Sequence, residues 1–126
     1  MKFARWVFLI AGVYGVLVLV PGLFLERQFG LTDPPPLTHP EFYYGFYLTA
    51  LVFQAIFLLI ARDPARWRPL MLVAVAEKIA FLGPCVALYA TGRMRLGGPF
   101  IGGLIDGVLM LLFLAAWRAS RPAPAT

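Results

Sequence analysis

Four long apolar stretches, separated by short polar segments, set the organisation of the whole chain. They cover residues 6–25, 41–61, 69–91 and 98–117. Each is close to the roughly 20 residues that an α-helix needs to cross a hydrocarbon core about 30 Å thick. In lipid such a segment must be helical, because an open strand would leave its backbone donors and acceptors unpaired. The pattern predicts an all-α polytopic membrane protein with four transmembrane helices.

The polar segments between these stretches predict how the helices are connected. Residues 26–40 contain three consecutive prolines and are expected to form an ordered or semi-rigid loop outside the bilayer. Residues 92–97 form a short connection, so the last two helices should be antiparallel neighbours. We expect a single four-helix domain over residues 1–119, an up-down-up-down bundle. A disordered cytoplasmic tail at residues 120–126 should follow, because this segment has no apolar face to bury.

Composition narrows the class of protein further. Of the 126 residues, 61% are hydrophobic and 13% are charged, whereas soluble domains have about 25% charged residues. The composition therefore indicates that the solvent of this chain is a bilayer. The formal net charge is +5, but the basic residues lie at the ends of the apolar stretches and not in one patch with exposed aromatic residues. A nucleic-acid partner is not expected.

The basic residues also predict which way the helices cross the membrane. One side carries seven basic residues against one acidic residue, a net charge of +6, and the other carries three of each, a net charge of zero. By the positive-inside rule both termini are cytoplasmic. The aromatic-rich residues 42–47 would then form a belt at the outer interface. The seven basic residues are Lys2, Arg5, Arg62, Arg66, Arg68, Arg118 and Arg121.

Few side chains suited to catalysis or metal binding are present. Cys85 is the sole cysteine, so neither an intrachain disulfide nor a cysteine-rich metal cluster is expected. His39 is the only histidine and has no second imidazole or thiol close to it in the sequence. Ser120 is the only serine and lies beyond the last apolar stretch, which argues against a serine nucleophile. The sequence predicts no metal and no cofactor, and it favours a non-enzymatic role.

Polar groups at one depth form the clearest functional clue in the sequence. Counting 1.5 Å per residue from the predicted helix ends places Glu77 and Lys78 about 12 to 14 Å deep. Asp106, approached from the other end of its helix, falls in the same central layer. Gln54 and Tyr14 reach this layer as well, so each helix contributes a polar group. An uncompensated charge at this depth costs about 2.5 to 3.5 kcal/mol, so Glu77, Lys78 and Asp106 need partners there. Together with the two uncharged polar residues of the layer, they are candidates for a ligand or proton site.

Two interpretations of this layer are compatible with the sequence. In the first, Lys78 pairs with Asp106 or Glu77, and the network only fixes the register of the helices. In the second, the helices enclose a polar pocket for a ligand, a proton or an ion, since intramembrane charges mark such sites. A tight loop joins the helices of Lys78 and Asp106, so we expect these two residues to pair. Glu77 would then be the unmatched carboxylate.

Small residues and one proline predict close packing of the last two helices. Two G-x-x-x-G spacings occur, Gly98 with Gly102 and Gly103 with Gly107. Such glycines let helix backbones approach closely, either within the bundle or across a homodimer seam. Pro84 removes one backbone donor and kinks its helix, which membrane helices tolerate and which can also open a cavity.

These features together resemble a known family. The basic connection RDPARWRPL at residues 62–70, the charged pair at residues 77–78 and the glycine-rich last stretch resemble small bacterial DoxX-like membrane proteins. The resemblance covers residues 42–117, and it implies a four-helix bundle in the bacterial cytoplasmic (inner) membrane. A more distant similarity of plan to emopamil-binding sterol isomerase bundles implies that Glu77 and Asp106 would be the corresponding carboxylates. No histidine lies in a predicted span here.

Three hypotheses for function follow. The first is a non-enzymatic bundle or accessory subunit that binds membrane lipid or a hydrophobic small molecule. The second is a proton- or ion-coupled transporter or channel that acts as a homodimer, because four helices enclose little room. The third is an intramembrane isomerase of a lipid-like substrate, with a carboxylate as acid or base. A dry ion pair in the central layer would favour a structural role. A water-lined path would favour transport. An apolar cavity that ends on a carboxylate would favour binding of a ligand or substrate.

Overall fold

The computed structural model describes residues 1–122, which form five helices and no strand. Four of these helices are long and apolar enough to cross a membrane, by length and composition. The all-α prediction is therefore confirmed, and the ends of the four long helices differ from the predicted ones by only a few residues. The helices are α1 (Lys2–Gly22), α2 (Glu26–Thr32), α3 (Pro40–Arg62), α4 (Arg68–Ala90) and α5 (Gly98–Ala119).

Proline and glycine set several of the helix ends. Pro40, Pro69 and Pro99 lie in the first turns of α3, α4 and α5, where a fixed φ suits the helix and a backbone donor is not needed. At the other end of α4, Gly92 adopts a φ of 71°, a left-handed conformation that glycine accepts without strain. The hydroxyl of Thr91 donates a hydrogen bond to the Ala87 carbonyl at 2.9 Å. The turn before α5 is therefore well defined.

Helix α2 lies in the segment that the sequence predicts to be a loop. It is only seven residues long, and its last hydroxyl, on Thr32, donates to the Gln28 carbonyl at 3.0 Å. The prolines at 34–36 then prevent the helix from continuing. Two long-range contacts hold this segment to the bundle. The Tyr44 hydroxyl donates to Glu26 Oε2 at 2.7 Å, and Arg95 Nη2 lies 3.0 Å from Asp33 Oδ1.

The long helices associate as two tight pairs. Helix α1 packs most extensively on α3, and α4 packs most extensively on α5, while the contacts of α1 with α5 and of α3 with α4 are smaller. The prediction that the last two helices are neighbours is confirmed. Arg68, at the start of α4, donates from Nη2 to the Trp117 carbonyl near the end of α5 at 3.0 Å, which also shows that the two helices are antiparallel.

The hydrophobic core is concentrated at one end of the bundle, which we call the terminal end because α1 begins and α5 ends there. Three phenylalanines, Phe8, Phe57 and Phe113, are fully buried, and the Phe8 and Phe113 rings stack with centroids 4.3 Å apart. Met71 and Ala74 of α4 belong to the same cluster. The opposite end, where α2 and the turn at residues 91–97 lie, is called the loop end.

The predicted tail, residues 120–126, falls mostly outside the described residues. Ser120 itself is buried at the terminal end, and its hydroxyl donates to the Ala116 carbonyl and lies 3.5 Å from Met71 Sδ. This residue therefore closes α5 as part of the bundle.

The glycines that predict close packing have different surroundings. A Cβ built on Gly103 would lie 3.0 Å from Cys85 Cβ, and one built on Gly107 would lie 3.2 Å from a Leu82 methyl, so both glycines face α4 closely. A Cβ on Gly102 would meet only the Phe81 ring, at 3.8 Å, and one on Gly98 would meet no described atom within 4 Å. Pro84 lies on a face of α4 that no other part of the described chain covers.

Candidate ligand-binding cavity in the loop half of the bundle

A cavity of about 1210 Å³ lies between the two helix pairs, in the half of the bundle nearer the loop end. All four long helices line it, and the segment after α2 lines its mouth. The five polar residues that the sequence singles out by depth all line this one cavity, namely Tyr14, Gln54, Glu77, Lys78 and Asp106. The residues that helical rise groups by depth therefore border one space; their part in binding stays a prediction.

The walls of the cavity are mainly apolar and aromatic. The Phe46 ring of α3 and the Phe81 ring of α4 lie 5.2 Å apart, so they close the wall between these helices. The Tyr47 ring packs against Tyr43 with centroids 4.6 Å apart, and the Tyr43 hydroxyl donates to the Gly22 carbonyl at 2.7 Å. The wall is thus rich in aromatic rings, and the Tyr43 hydroxyl is already bonded.

Three charged groups form the floor of the cavity. Lys78 Nζ lies 3.1 Å from Asp106 Oδ1 and 3.2 Å from Glu77 Oε2. On its other side, the ammonium lies 5.2 Å from the centroid of the Phe57 ring, a cation–π distance. The predicted pairing of Lys78 with Asp106 is confirmed, and it is a hydrogen bond as well as an ion pair. Lys78 therefore holds α4 to α5.

The prediction that Glu77 has no charged partner is wrong, because one ammonium serves both carboxylates. The physical reason is the length of the lysine side chain, which can bend back toward its neighbour on the same helix while its tip reaches Asp106. The contact with Glu77 is weaker in one respect. Among residues 1–122, Glu77 Oε2 is buried and accepts no hydrogen bond, since the ammonium is close but not aligned with it.

The carboxylates are more accessible from the cavity than the ammonium is. The side chain of Lys78 is 6% exposed, compared with 15% for Glu77 and 18% for Asp106. If all three groups are charged, the cluster carries one negative charge in excess. A molecule in the cavity would thus approach the two carboxylate side chains more closely than the ammonium, although Glu77 Oε2 itself is buried.

Gln54 and Tyr14 occupy different parts of the wall. Gln54 is buried, and its Nε2 donates to the Ala50 carbonyl on its own helix at 2.9 Å rather than to the charged groups. Its side chain fits because position 15 of the facing helix α1 is glycine: a Cβ on Gly15 would overlap the Gln54 amide. Tyr14 lines the cavity from α1 and is partly exposed.

The mouth of the cavity is crossed by an ion pair. Asp33 follows α2, and Arg95 lies in the turn between α4 and α5; both residues line the cavity, and their side chains are 3.0 Å apart. His39 lines the mouth as well, and its Nδ1 lies 3.4 Å from Glu41 Oε1, with both side chains largely exposed. Each of these basic groups therefore has a carboxylate beside it.

Sequence reasoning missed several residues of the site. Tyr43 and Tyr47 belong to the segment predicted to face the outer membrane interface, but Tyr43 is buried and both residues line the cavity. Phe81 was not singled out at all. The available signal was helical spacing: Phe81 lies three residues after Lys78, on the same face of α4. Gly15, which makes room for Gln54, carried no motif of its own.

The described residues offer no obvious metal centre. No group of three or more His, Cys, Asp or Glu side chains within residues 1–122 is arranged to hold a metal ion. Cys85, the free cysteine, is buried against α5 near Gly103. Carboxylates, an ammonium and aromatic rings are thus the groups available for chemistry in the cavity.

Comparison with known proteins gives no precedent for this arrangement: no protein-family model, no curated protein and no solved structure matches the chain. The DoxX-like resemblance and the similarity to sterol isomerase bundles therefore stay predictions. Function has to be inferred from the geometry of the cavity.

Proposed function

We propose that this protein is a small integral membrane protein that binds a lipid-like or hydrophobic small molecule in the cavity between its two helix pairs. The observation that carries the proposal is the cavity of about 1210 Å³, with apolar and aromatic walls and a floor made by Glu77, Lys78 and Asp106. Binding sites for small molecules are typically apolar concavities of about 300 to 1,000 Å³ with a few convergent polar groups, and this cavity is somewhat larger than that range.

A purely structural charge network would account for only part of the geometry. The Lys78–Asp106 pair fixes α4 against α5, as a structural role requires. Helix register does not need an open space beside the pair, and the Glu77 side chain, which borders that space, has a buried Oε2 that accepts no hydrogen bond from the described residues. An incompletely bonded carboxylate at the end of an apolar cavity favours a ligand as its missing partner.

The surroundings of the cavity favour entry from the lipid, between α1 and α5. At the terminal end these two helices meet through the stacked rings of Phe8 and Phe113. In the loop half, Val18 on α1 and Ile105 on α5 line the cavity and are also exposed on the outside of the bundle. An apolar molecule dissolved in the bilayer would reach the cavity there without crossing water.

The proposal includes an orientation in the membrane. Both termini lie on the cytoplasmic side and the helices run up-down-up-down, which places the cavity toward the outer face. This assignment is supported by the net charge of +6 at the terminal end. It is also supported by the joint packing of residues near the start of α1 and the end of α3, Ala4 and Ala61, with Met71 and Ala116. A DoxX-like protein of the bacterial inner membrane would have this plan.

Photolabelling with an uncharged amphiphile tests the proposal. The probe is hexadecanol carrying a diazirine in mid-chain, and the protein is held in nanodiscs of phosphatidylcholine. We expect saturable labelling of residues that line the cavity, such as Phe81 and Ile105, mapped by mass spectrometry. Unlabelled hexadecanol should compete for this site.

Two glycine variants provide the matched comparison. Gly102→Leu puts a branched side chain into the cavity beside Phe81, and its Cβ has room because the nearest described atom, in the Phe81 ring, is 3.8 Å away. Gly83→Leu adds the same side chain where a Cβ meets no described atom within 4 Å and outside the cavity lining. Labelling should be lost in the first variant and kept in the second. Labelling confined to the lipid-facing outer surface, or unchanged in Gly102→Leu, would contradict a ligand cavity.

A further inference from the structure

We infer that the ligand is an amphipathic or hydrophobic organic cation, such as a lipophilic amine or quaternary ammonium or phosphonium compound, whose positive charge lies beside Glu77. The inference rests on the proposed function, because it names the chemical class of ligand for the same cavity. It is carried by the two carboxyl groups that share one ammonium in the floor, by the positions of these groups and by the aromatic walls.

The floor of the cavity contains two carboxyl groups and one ammonium. Two carboxylates, Glu77 and Asp106, share the single ammonium of Lys78. In a region of low dielectric constant an excess charge is expensive, so the second carboxylate takes either a proton or a cationic partner. A cation in the cavity would give the floor two positive and two negative charges. An anion offers the carboxylate no such partner, so the two signs of ligand differ in energy.

The carboxylate side chains of the floor are less buried than the ammonium. The Lys78 ammonium lies between Asp106 and the Phe57 ring and is almost completely buried. The Glu77 side chain is more exposed, although its Oε2 atom is itself buried and accepts no hydrogen bond from the described residues. A cation approaching through the cavity therefore meets the carboxylate first, with the competing ammonium held to one side.

Two other basic residues, Arg95 and His39, line the cavity near its mouth. Arg95 at the mouth is 3.0 Å from Asp33, and His39 is 3.4 Å from Glu41. Both lie outside the floor, and each has a carboxylate within ion-pairing distance. The mouth therefore offers little net positive charge to repel a cation, and the floor sets the sign of the site.

The walls of the cavity contain many aromatic side chains. Tyr14, Tyr43, Phe46, Tyr47 and Phe81 all line the cavity. Aromatic ring faces carry partial negative charge, and they attract cations by about 0.5 to 2 kcal/mol each, most strongly where water is excluded. A cation with an apolar body would gain from the rings and from the carboxylate together. An uncharged lipid would use only the apolar surface.

Two ions of the same shape and opposite charge test the inference. Tetraphenylphosphonium and tetraphenylborate are offered to the full chain in phosphatidylcholine nanodiscs, and binding to empty nanodiscs is subtracted. We expect saturable binding of tetraphenylphosphonium, at least about tenfold tighter than that of tetraphenylborate, which corresponds to about 1.4 kcal/mol. Competition between unlabelled tetraphenylphosphonium and the diazirine probe would show that both occupy the same cavity.

Removing one carboxylate at a time identifies the group responsible. Glu77→Gln keeps the shape and should weaken tetraphenylphosphonium binding by about tenfold, equivalent to about 1.4 kcal/mol. Glu26→Gln removes the same charge outside the cavity lining, at a glutamate whose partner is the uncharged Tyr44 hydroxyl, and should leave binding unchanged. Phe81→Leu keeps an apolar wall and removes a ring face, so it should weaken binding of the cation more than labelling by hexadecanol. This last comparison holds even if the Glu77 variant folds poorly.

Equal binding of the two ions, preference for tetraphenylborate, or unchanged cation binding in a folded Glu77→Gln protein would each overturn the inference. These results are distinguishable from failure of the proposed function. If the uncharged probe still labels the cavity, a ligand site exists and only its preference for cations is wrong. If neither the probe nor either ion binds, both proposals fall.

Discussion

The two halves of this bundle are built from the same four helices and differ in how their interiors are filled. At the terminal end, Phe8, Phe57 and Phe113 meet at the centre and are fully buried. In the loop half, no such cluster of described residues fills the centre, and a cavity of about 1210 Å³, bordered by Gly102 among others, lies between the helix pairs. One half is packed as a core, and the other is arranged around a space.

The difference shows how a small membrane protein can combine stability with an open site. In lipid the association of helices rests on van der Waals packing and polar contacts rather than on exclusion of water. The packed half supplies the first, and the Lys78 ion pairs, at the boundary between the halves, supply the second. The loop half can then remain open without loss of the bundle.

The largest loss of stability is expected from Lys78→Met. This change leaves Glu77 and Asp106 as two neighbouring buried carboxylates with no cation between them, and loss of one partner from a buried pair costs about 3 to 5 kcal/mol. Asp106→Asn should cost less, because Glu77 remains 3.2 Å from the ammonium. Unfolding in mixed micelles of increasing dodecyl sulfate content measures both free energies.

The triple variant Lys78→Met, Glu77→Gln, Asp106→Asn is the control for the charge cluster. It removes all three charges together, so it should recover much of the stability that Lys78→Met loses. Additive losses across the three positions would show that the charges act independently, and the cluster would then not be the joint between the two halves.

A smaller but clear difference is expected between the same substitution in the two halves. Phe113→Ala should lower the free energy of unfolding by an amount near the lower end of the about 3 to 5 kcal/mol typical of buried phenylalanines, since it opens a void at the packed end. Phe81→Ala should cost clearly less, because its ring already borders the cavity. The same unfolding assay in mixed micelles compares them. Equal losses would mean that the loop half is packed as tightly as the terminal half.

The smallest effect on stability is expected from two single-cysteine variants, one at each end of the bundle. Thr38→Cys at the loop end and Ala65→Cys at the terminal end are both exposed positions. A membrane-impermeant maleimide should label Thr38→Cys in intact cells and Ala65→Cys only after permeabilisation. The unchanged chain, in which Cys85 is buried, gives the background. Labelling of Ala65→Cys in intact cells and of Thr38→Cys only after permeabilisation would show the opposite orientation in the membrane.

Much of the site could be predicted from depth along the helices. Because the rise per residue is fixed, the sequence alone places Glu77, Lys78 and Asp106 in one layer with Gln54 and Tyr14. Depth carries no information about which side chains meet. That Lys78 reaches both carboxylates, and that Gln54 bonds to its own helix, depends on rotamers and on the neighbouring helices.

The sequence by itself determined the helical class, the four apolar helices and the depth of the charged groups, because these depend on local hydropathy and on the geometry of a single helix. Only the tertiary structure decided that α1 pairs with α3 and α4 with α5, and that the space between the pairs is open at one end and filled at the other. Pairing depends on how surfaces from distant parts of the chain fit together, and apolar stretches of similar composition do not encode that fit in their hydropathy.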